Sequence, residues 1–595
     1  MQLIPHSRVT LTGGYLAEKQ ALNRRVTLQA VYDRFYETGR ITAFGHGYPD
    51  ADPIRPHFFW DSDVAKWMEG AAYVLAHEPD PDLEAKVDAI IDDIAAHQHA
   101  DGYFNIYFTV VEPDKRWSNR DWHELYCAGH LMEAAVAYAE ATGKTKFLSC
   151  MEKYADYIAK IFMEEHSAAF HTPGHEEIEL ALVRLYRQTG KKQYLDLAAY
   201  FINTRGVAEE QGKNNYNQSH LPVREQDSAE GHAVRAMYLY TGMAYLAAET
   251  GDEALIAACK KLWADATEQK MYITGGLGST YIGEAFTTPF DLPPDQAYTE
   301  TCAGIALCFF ANGMLALENH AAYADVIERA LYNGVLSGLS HRGDEFFYEN
   351  PLEVNLSERF VSVWGARRFP AHRRVACFAC SCCPPNVNRL LASLGNYVYG
   401  VEGDTLFVNQ FISSELSDGD LTATLETDYP RMGQVTVKAK GCRHIAIRIP
   451  AWCDYYNLSH PYILKNGYAV VENNRDAVTL NMDLIPRAVF ADTRVLRAAG
   501  KAAIMRGPVV YCAEGVDNGE GELYNYVISP TRYIEEVPGQ YGLPNLELEC
   551  STRVPGGAGL YTNQPPKYKD ATLTLIPYNA FANRDETDMR VWFDI

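Results

Sequence analysis

Leu131-Met-Glu-Ala-Ala-Val-Ala-Tyr138-Ala-Glu-Ala-Thr142-Gly143-Lys144-Thr-Lys-Phe147-Leu-Ser-Cys150-Met-Glu-Lys-Tyr154 is the stretch on which the fold turns. Apolar residues recur at i, i+3 and i+4 on both sides of the Thr-Gly-Lys break, which predicts two amphipathic helices joined by a tight turn. The layout repeats along the chain. Thr189-Gly-Lys191 separates apolar-periodic residues 178–186 from 194–204, and Thr250-Gly-Asp252 separates 237–248 from 255–267. His77-Glu-Pro-Asp80 precedes a third such run at 83–95, and Glu318-Asn-His320 precedes another at 323–339. These make five helix–turn–helix units. A helix near 22–39 pairs with the apolar run 388–399 as a sixth.

Helix pairs that each expose an apolar face bury it only by stacking on neighbours. Six pairs predict a closed double ring, an (α/α)6 barrel, in preference to a straight solenoid, because the long irregular connections 101–119, 205–228 and 275–299 would gather at one mouth. Loops of that length are uncommon unless they carry function. After Gly400 the period changes to two: 405–409, 421–425, 434–439, 444–449, 478–482 and 502–505 alternate apolar and polar residues between Gly-, Asp- and Asn-rich turns. The expected architecture is a multidomain α + β chain: an (α/α)6-barrel domain over 5–400, then two jelly-roll-like β-sandwich domains. The expected boundaries place 401–505 with 571–595, and the short segment 1–4, in the first sandwich; 506–570, with its loop Pro555-Gly-Gly-Ala-Gly559, forms a second, inserted one.

Composition narrows the function. The 595 residues are 47% hydrophobic and 22% charged, and the formal net charge of −24 argues against nucleic acid or an anionic membrane as partner. No apolar run is long enough to span a bilayer. Met1-Gln-Leu-Ile-Pro-His-Ser-Arg8 shows no basic stretch followed by an apolar core, which predicts no export leader and a cytoplasmic protein. The thirteen cysteines are then expected to be reduced or metal-bound.

Four of those cysteines fall in Cys377-Phe-Ala-Cys380-Ser-Cys382-Cys383-Pro384-Pro385-Asn386. Adjacent cysteines do not easily bridge each other, and crowded free thiols are an oxidation hazard unless something occupies them. Only Cys377 and Cys380 have knuckle spacing, so Cys382 and Cys383 read as part of a site completed elsewhere. Thr299-Glu300-Thr-Cys302 opens a helix at the end of a long mouth loop, with Thr299 as the expected N-cap. Its carboxylate and thiol would complete a four-coordinate zinc site; a buried, inert Cys302 is the competing reading. Upstream, Gly275-Gly-Leu-Gly-Ser-Thr280 lacks the lysine of a phosphate loop. Glu284 in the following Gly- and aromatic-rich loop is a general-acid candidate, or else a solvated loop residue. His130, His175 and His232 each follow a glycine just ahead of an apolar-periodic run. Equivalent positions on consecutive hairpins would converge on one mouth and serve a polar ligand.

Taken together, Gly283-Glu284-Ala-Phe286, Asp291-Leu-Pro293, Tyr298-Thr-Glu300-Thr-Cys302, Phe347-Tyr348-Glu-Asn-Pro351 and Cys380-Ser-Cys382-Cys383-Pro-Pro-Asn386 resemble glycoside hydrolase family 127. So do Trp60-Asp-Ser-Asp63-Val-Ala-Lys-Trp67 and Asp101-Gly-Tyr-Phe-Asn105, and the likeness runs from Leu11-Thr-Gly-Gly14 to Met589-Arg-Val-Trp592. The resemblance implies a β-L-arabinofuranosidase whose zinc is held by Glu300, Cys302, Cys382 and Cys383. It makes Cys382 the nucleophile and Glu284 the acid/base, with His130, His175, His232, Tyr348 and Glu328 contacting substrate. Retaining glycosidases ordinarily use two carboxylates; here a thiolate, deprotonated by the metal, would replace one. Cys377 and Cys380 have no implied role.

The expected partner is a small oligosaccharide or glycoside. Sandwich edges near the C-terminus, together with the resemblance, point to a homodimer through the C-terminal β domains. One rival keeps the chemistry and changes the sugar to another furanose or a branched acidic sugar. A second is a non-catalytic, zinc-stabilised glycan-binding protein. A third, a zinc hydrolase acting through activated water, is opposed by the missing H-E-x-x-H signature and by four protein ligands that leave no open position.

Overall fold

The computed structural model describes residues 1–45, 56–207, 212–357, 369–554 and 559–595. Part of the 205–228 loop and most of the Pro555–Gly559 loop therefore lie outside the described residues. Helices Trp60–Leu75, Glu124–Thr142, Ile178–Thr189, Ala233–Thr250, Thr301–Leu317 and Cys383–Ala392 each pack on the next, and the last packs on the first. The ring is closed. Pro81–His97, Lys146–Ala159, Lys192–Thr204, Glu253–Gln269 and Ala321–Ala330 return along its outside, and Leu28–Glu37 supplies the sixth outer helix. Each hairpin thus contributes an inner helix running away from one mouth and an outer helix running back.

The repeated turn has a repeated physical cause. Gly143, Gly190 and Gly251 end their helices at φ of 73°, 69° and 67°, the left-handed region that glycine enters without penalty. The preceding threonines donate back to carbonyls one turn earlier, as Thr142 does to Tyr138 at 2.7 Å. Asp80 and Asp252 then cap the outer helices by accepting from the amides of Leu83 and Leu255 at 3.1 and 2.9 Å. The sixth pair differs from the expectation. Its inner helix begins at Cys383 and ends at Ala392, so Cys-Pro-Pro forms the first helical turn rather than a preceding loop. Proline is tolerated there because the first-turn amides have no intrahelical acceptor.

Among the described residues, three sheets lie beyond the barrel. Two six-stranded sheets use 399–482 together with Gln2–Leu3 and Val9–Gly13 from the chain's start; Gln2–Leu3 pairs with Tyr399–Glu402, and Val9–Gly13 with Ser413–Asp418. The third sheet runs from Arg487–Val489 through Phe593–Asp594 and takes in Glu353–Val354 from the barrel. The expected return of 571–595 to the first sandwich is corrected here. Lys567–Pro577 pairs with Asn545–Val554 and with Val509–Glu514, while Phe593–Asp594 pairs with Lys501–Arg506. The segment 487–505 likewise belongs to the third sheet, so neither an insertion at 506–570 nor a boundary at 505 describes the pairing. The cause is register: the nine-residue antiparallel ladder between 546–554 and 567–575 makes those strands a hairpin that cannot be split between two sandwiches.

Candidate active site

All six inner helices start at the same end of the ring, so their first turns and the loops before them surround one mouth. Cys302 lies in the first turn of Thr301–Leu317, and Cys383 opens Cys383–Ala392 with Cys382 at its N-cap. The N-cap of Thr301–Leu317 is Glu300 rather than Thr299; Thr299 instead sits at φ 38° and its hydroxyl donates to the carbonyl of Asn350. An isolated antiparallel bridge between Glu300 and Glu349 fixes this entry to the helix.

The two segments, some eighty residues apart in sequence, meet. Cys302 Sγ is 3.4 Å from Cys383 Sγ, Cys382 Sγ is 3.7 Å from Cys383 Sγ, and Glu300 Oε1 is 3.5 Å from Cys382 and 3.8 Å from Cys383. One donor atom from each of the four residues falls within 4.8 Å of the others. Cys302, Cys383 and Glu300 are buried, and Cys382 alone of the four is partly exposed. Burial pushes the Glu300 carboxyl well above its usual range, reinforced by Cys382 and Glu284; burial also pushes Cys383 well up. Cys302 goes the other way. Burial opposes its ionisation, but hydrogen bonds from Cys382 and Cys383 bring it down to about 6. Two helix N-termini add a favourable field for anions at this point. Tyr348, stacked on Phe369 at 4.0 Å, brings its hydroxyl to 3.4 Å from Cys382 Sγ. Cys380 Sγ is 4.0 Å from that hydroxyl, while Cys377 Sγ is 3.1 Å from the Ser381 hydroxyl.

Glu284 reaches the same place from the mouth loop. It sits at φ 54°, a strained conformation for a residue with a Cβ, directly after Gly283 at φ 69°. Its Oε2 is 2.7 Å from His232 Nε2, and Glu284, His232 and Glu300 also offer atoms within 4.8 Å of one another. The tautomer of His232 follows from its other nitrogen. Nδ1 accepts from the amide of Val234 at 3.1 Å, capping the helix Ala233–Thr250, so Nε2 carries the hydrogen and donates to Glu284. Burial lowers the His232 pKa, so the ring is neutral, with Glu284 acting in the opposite sense. His175 shows the reverse pattern. Its Nδ1 is 3.0 Å from the carbonyl of Glu176, which can only accept, so Nδ1 bears the hydrogen and Nε2 is left as an acceptor. Its ring centroid is 5.6 Å from that of His232. His130 is fully buried within Glu124–Thr142 rather than at a helix start, and burial holds it and His175 well below the usual histidine range.

Glu328 does not belong to this group. It is buried on the outer helix Ala321–Ala330, accepting from Arg448 Nη2 at 2.6 Å, Tyr429 Oη at 2.8 Å and Trp452 Nε1 at 2.9 Å. It ties the barrel to the first sandwich. The sequence reading missed His123, whose ring centroid is 5.5 Å from His175, and Tyr126, at 4.1 Å from His175 and 4.5 Å from His130. It also missed Lys66, which donates to Tyr126 Oη at 2.7 Å. His123 sits at the N-cap of its helix with φ 59°, and its place just after the long 101–119 connection was the available signal. A separate cavity of about 690 Å³ opens at the other end of the barrel, lined by His6, Glu69, Glu133, Arg184 and Arg389 among others. The Arg389 pairs with Glu69 and Glu133, at 2.8 and 2.7 Å, belong to its lining, and none of the predicted site residues does.

Comparison with known proteins gives this arrangement its class: the protein is a glycoside hydrolase. A family model described as the beta-L-arabinofuranosidase GH127 catalytic domain matches residues 8–396, with the family's middle domain at 405–482 and its C-terminal domain at 486–594. The chain belongs to glycoside hydrolase family 127. It is 37% identical to a non-reducing end beta-L-arabinofuranosidase of Bifidobacterium longum subsp. longum, covering 91% of this chain and 90% of that one. The crystal structure of a GH127 beta-L-arabinofuranosidase from Geobacillus stearothermophilus T6 superposes with a TM-score of 0.93 at 39% identity, covering 98% and 99% of the two chains. A second solved GH127 beta-arabinofuranosidase gives 0.90 at 34% identity, covering 100% of this chain and 98% of that one.

Proposed function

We propose that the protein is a retaining, exo-acting β-L-arabinofuranosidase that releases L-arabinofuranose, with Cys382 as nucleophile and Glu284 as acid/base. The observation that carries this reading is the meeting of Glu284 with the Cys382 cluster through Glu300, at the one mouth that also gathers His130, His175 and His232. The sugar follows the descriptions of the similar enzymes.

The donor set fits zinc. Three sulfurs and one carboxylate crowd together, mostly buried, and Glu300 Oε2 is buried with no hydrogen-bond partner. Without a cation, burial favours protons on Glu300 and Cys383, a state that a soft divalent ion would replace. Glu300, Cys302, Cys382 and Cys383 would hold it, and the ion, when bound, keeps the thiols ionised. Cys382, the partly exposed member, attacks the anomeric carbon. Its sulfur forms the bond to that carbon as the glycosidic C–O bond breaks, and Glu284 delivers a proton to the departing oxygen. His232 holds Glu284 in place through Nε2–H. A water, deprotonated by Glu284, then displaces the sulfur, and two inversions give retention. Acceptor nitrogens and the Tyr348 hydroxyl suit the hydroxyls of a neutral sugar, and the neutral histidines add no charge.

The test is substitution with metal analysis. Cys382→Ser and Glu284→Gln are each expected to abolish hydrolysis of 4-nitrophenyl β-L-arabinofuranoside, and Glu284→Gln to leave about one zinc per chain. Substantial activity in Cys382→Ser would end the thiolate mechanism. Hydrolysis of a different nitrophenyl glycoside instead would change the sugar, and a metal-dependent fold with no hydrolysis of any glycoside would favour the glycan-binding reading. We also propose a cytoplasmic homodimer. Each of the thirteen cysteines is a thiol rather than half of a disulfide, which suits a reducing compartment. Tyr462, Ile463 and Leu464 are exposed at and beside the edge strand Ile463–Lys465, which suits pairing with a second copy. A monomer in sedimentation equilibrium would remove the dimer.

A further inference from the structure

His175 and His232 each have one nitrogen fixed by the backbone, and His130 has no such partner. It is fully buried, and among the described residues no backbone group reaches either of its ring nitrogens. A buried polar group left in that state costs roughly 1–3 kcal/mol, so what faces it decides its role. Glu177 Oε1 lies 3.0 Å from His130 Nδ1, and Glu133 Oε2 lies 3.9 Å away. Glu177 comes from the turn into Ile178–Thr189, and it too is fully buried, with no backbone or guanidinium donor among the described residues reaching either carboxyl oxygen. Three buried groups therefore face one another, with an atom from each inside 4.8 Å.

Two ionised carboxylates cannot share this space without a proton or a cation between them. The surroundings favour the proton. Glu133 already receives two guanidiniums, Arg389 Nη1 at 2.7 Å and Arg184 Nη1, so a further cation beside it would be repelled. The other groups around His130 are Lys66, Tyr126, Tyr238 and His175, of which Lys66 is again a cation. Burial opposes ionisation of Glu133, yet Arg184 and Arg389 bring it down to about 2, while burial and then Glu133 itself push Glu177 well up. The shared proton resides on Glu177.

We infer that Glu177 is a positioning residue: bridging Glu133 and His130, its carboxyl keeps the imidazole hydrogen on Nδ1 and presents Nε2 to the substrate as a hydrogen-bond acceptor. The O–H of Glu177 donates to Glu133, and its other oxygen accepts from His130 Nδ1–H. His130 then matches His175, whose Nε2 is likewise left as an acceptor. The inference rests on the reading of His130 as a substrate contact, and its test separates the two.

The experiment uses the metal-loaded protein. Ring nitrogen shifts of 15N-labelled histidine, assigned to His130 by difference against His130→Gln, are expected to show hydrogen on Nδ1. Hydrogen on Nε2 would overturn the inference, whatever the enzyme hydrolyses. Glu177→Gln keeps an acceptor for His130 and a donor for Glu133, so kcat/KM is expected within about threefold of the parent. Glu177→Leu removes both and is expected to lower kcat/KM by roughly 10–100-fold, the range for loss of a group that orients a ligand-contacting histidine. Bound metal and melting temperature are expected to stay near the parent's. Near-parent activity in a folded Glu177→Leu, or a second metal equivalent lost in that variant, would also overturn it. If Glu177→Leu does not fold, the nitrogen shifts of the unmutated protein still decide. A parent enzyme inactive on arabinofuranosides would end the substrate reading while leaving this tautomer measurable.

Discussion

His232 does two jobs at once, and they can be pulled apart. Through Nδ1 it caps the helix Ala233–Thr250, and through Nε2 it holds Glu284 at 2.7 Å. Asparagine is a good N-cap but too short to reach Glu284. His232→Asn is therefore expected to melt within a few degrees of the parent while kcat falls on the order of 100-fold, the usual share of a positioned acid/base group. His232→Ala should lose the cap as well, about 1 kcal/mol by chemical denaturation. Glu328 makes the contrary case. It is one of two carboxylates on the buried Arg448, the other being Asp325 at 2.5 Å, so removing it leaves the guanidinium paired but strips the acceptor from Tyr429 and Trp452, at a cost of about 1–3 kcal/mol. Glu328→Ala should lower stability by that order with kcat of the folded fraction unchanged; a kcat loss without destabilisation would return it to the site. Both outcomes bear on what a sequence reveals. Glu284 and Glu300 were legible because each sits in a run whose glycines, aromatics and thiols are unusual together. Glu328 was not, because the arginine that explains it is 120 residues away on a strand.

At the scale of elements, the barrel could be read because its units are local. The 3.6-residue period and the stop signals lie within one hairpin: a Thr-Gly turn at Gly143, Gly190 and Gly251, and an aspartate cap at Asp80 and Asp252. The sheets could not be read as fully. Strand period shows that a segment is a strand and which face it buries, but the partner is chosen by contacts far along the chain. Nothing in 571–577 announces that it pairs with 546–550 rather than with the first sandwich. Near the start of the chain the segment 1–4 is expected in the first sandwich, and Gln2–Leu3 pairs there; Val9–Gly13 instead looks like a lead-in to the first helix, yet it adds an edge strand to a sheet whose other members begin at 413. The inner ring makes its own demand for small residues. A Cβ on Gly129 would fall 2.7 Å from Glu177 Cγ and 2.9 Å from the Ile178 backbone. Alanine gains about 1 kcal/mol of helix propensity over glycine, but forced overpacking costs about 1–3 kcal/mol, and backbone cannot step aside. The clash is expected to win. Gly129→Ala should destabilise by about 1–2 kcal/mol in denaturant titrations and disturb the adjacent His130; a more stable variant would show that the helices can separate freely.

For the whole molecule, the buried acids of the barrel set how stability depends on pH. Burial lifts Glu124, which accepts from Tyr103 Oη at 2.7 Å and the Trp117 amide at 2.8 Å, to about 8, and lifts Asp61 to about 7. A carboxyl whose pKa is higher in the folded chain binds its proton more tightly there. Its contribution is complete below the unfolded values of 4.5 and 3.8 and is lost as pH rises toward 8 and 7. Glu133 works at the other end. Brought down to about 2 against its burial by Arg184 and Arg389, it contributes fully above 4.5 and loses that contribution as pH falls toward 2. The formal charge of −24 adds repulsion that grows as the pH rises, in the same direction as Glu124 and Asp61. Histidines buried in the neutral form pull the other way: His123, His130, His175 and His232 lie below their ordinary 6.5 in the folded chain, so their contribution is complete above 6.5 and is lost as the pH falls. The melting temperature is therefore expected to peak at about pH 6.5 and to fall from there to about pH 8. Differential scanning calorimetry of the metal-loaded protein across that range would check it, with Glu124→Gln flattening the upper slope because glutamine has no proton to lose. A melting temperature that kept rising from about pH 6.5 to 8 would mean that Glu124 and Asp61 are already ionised when folded, and that the barrel wall around them admits water.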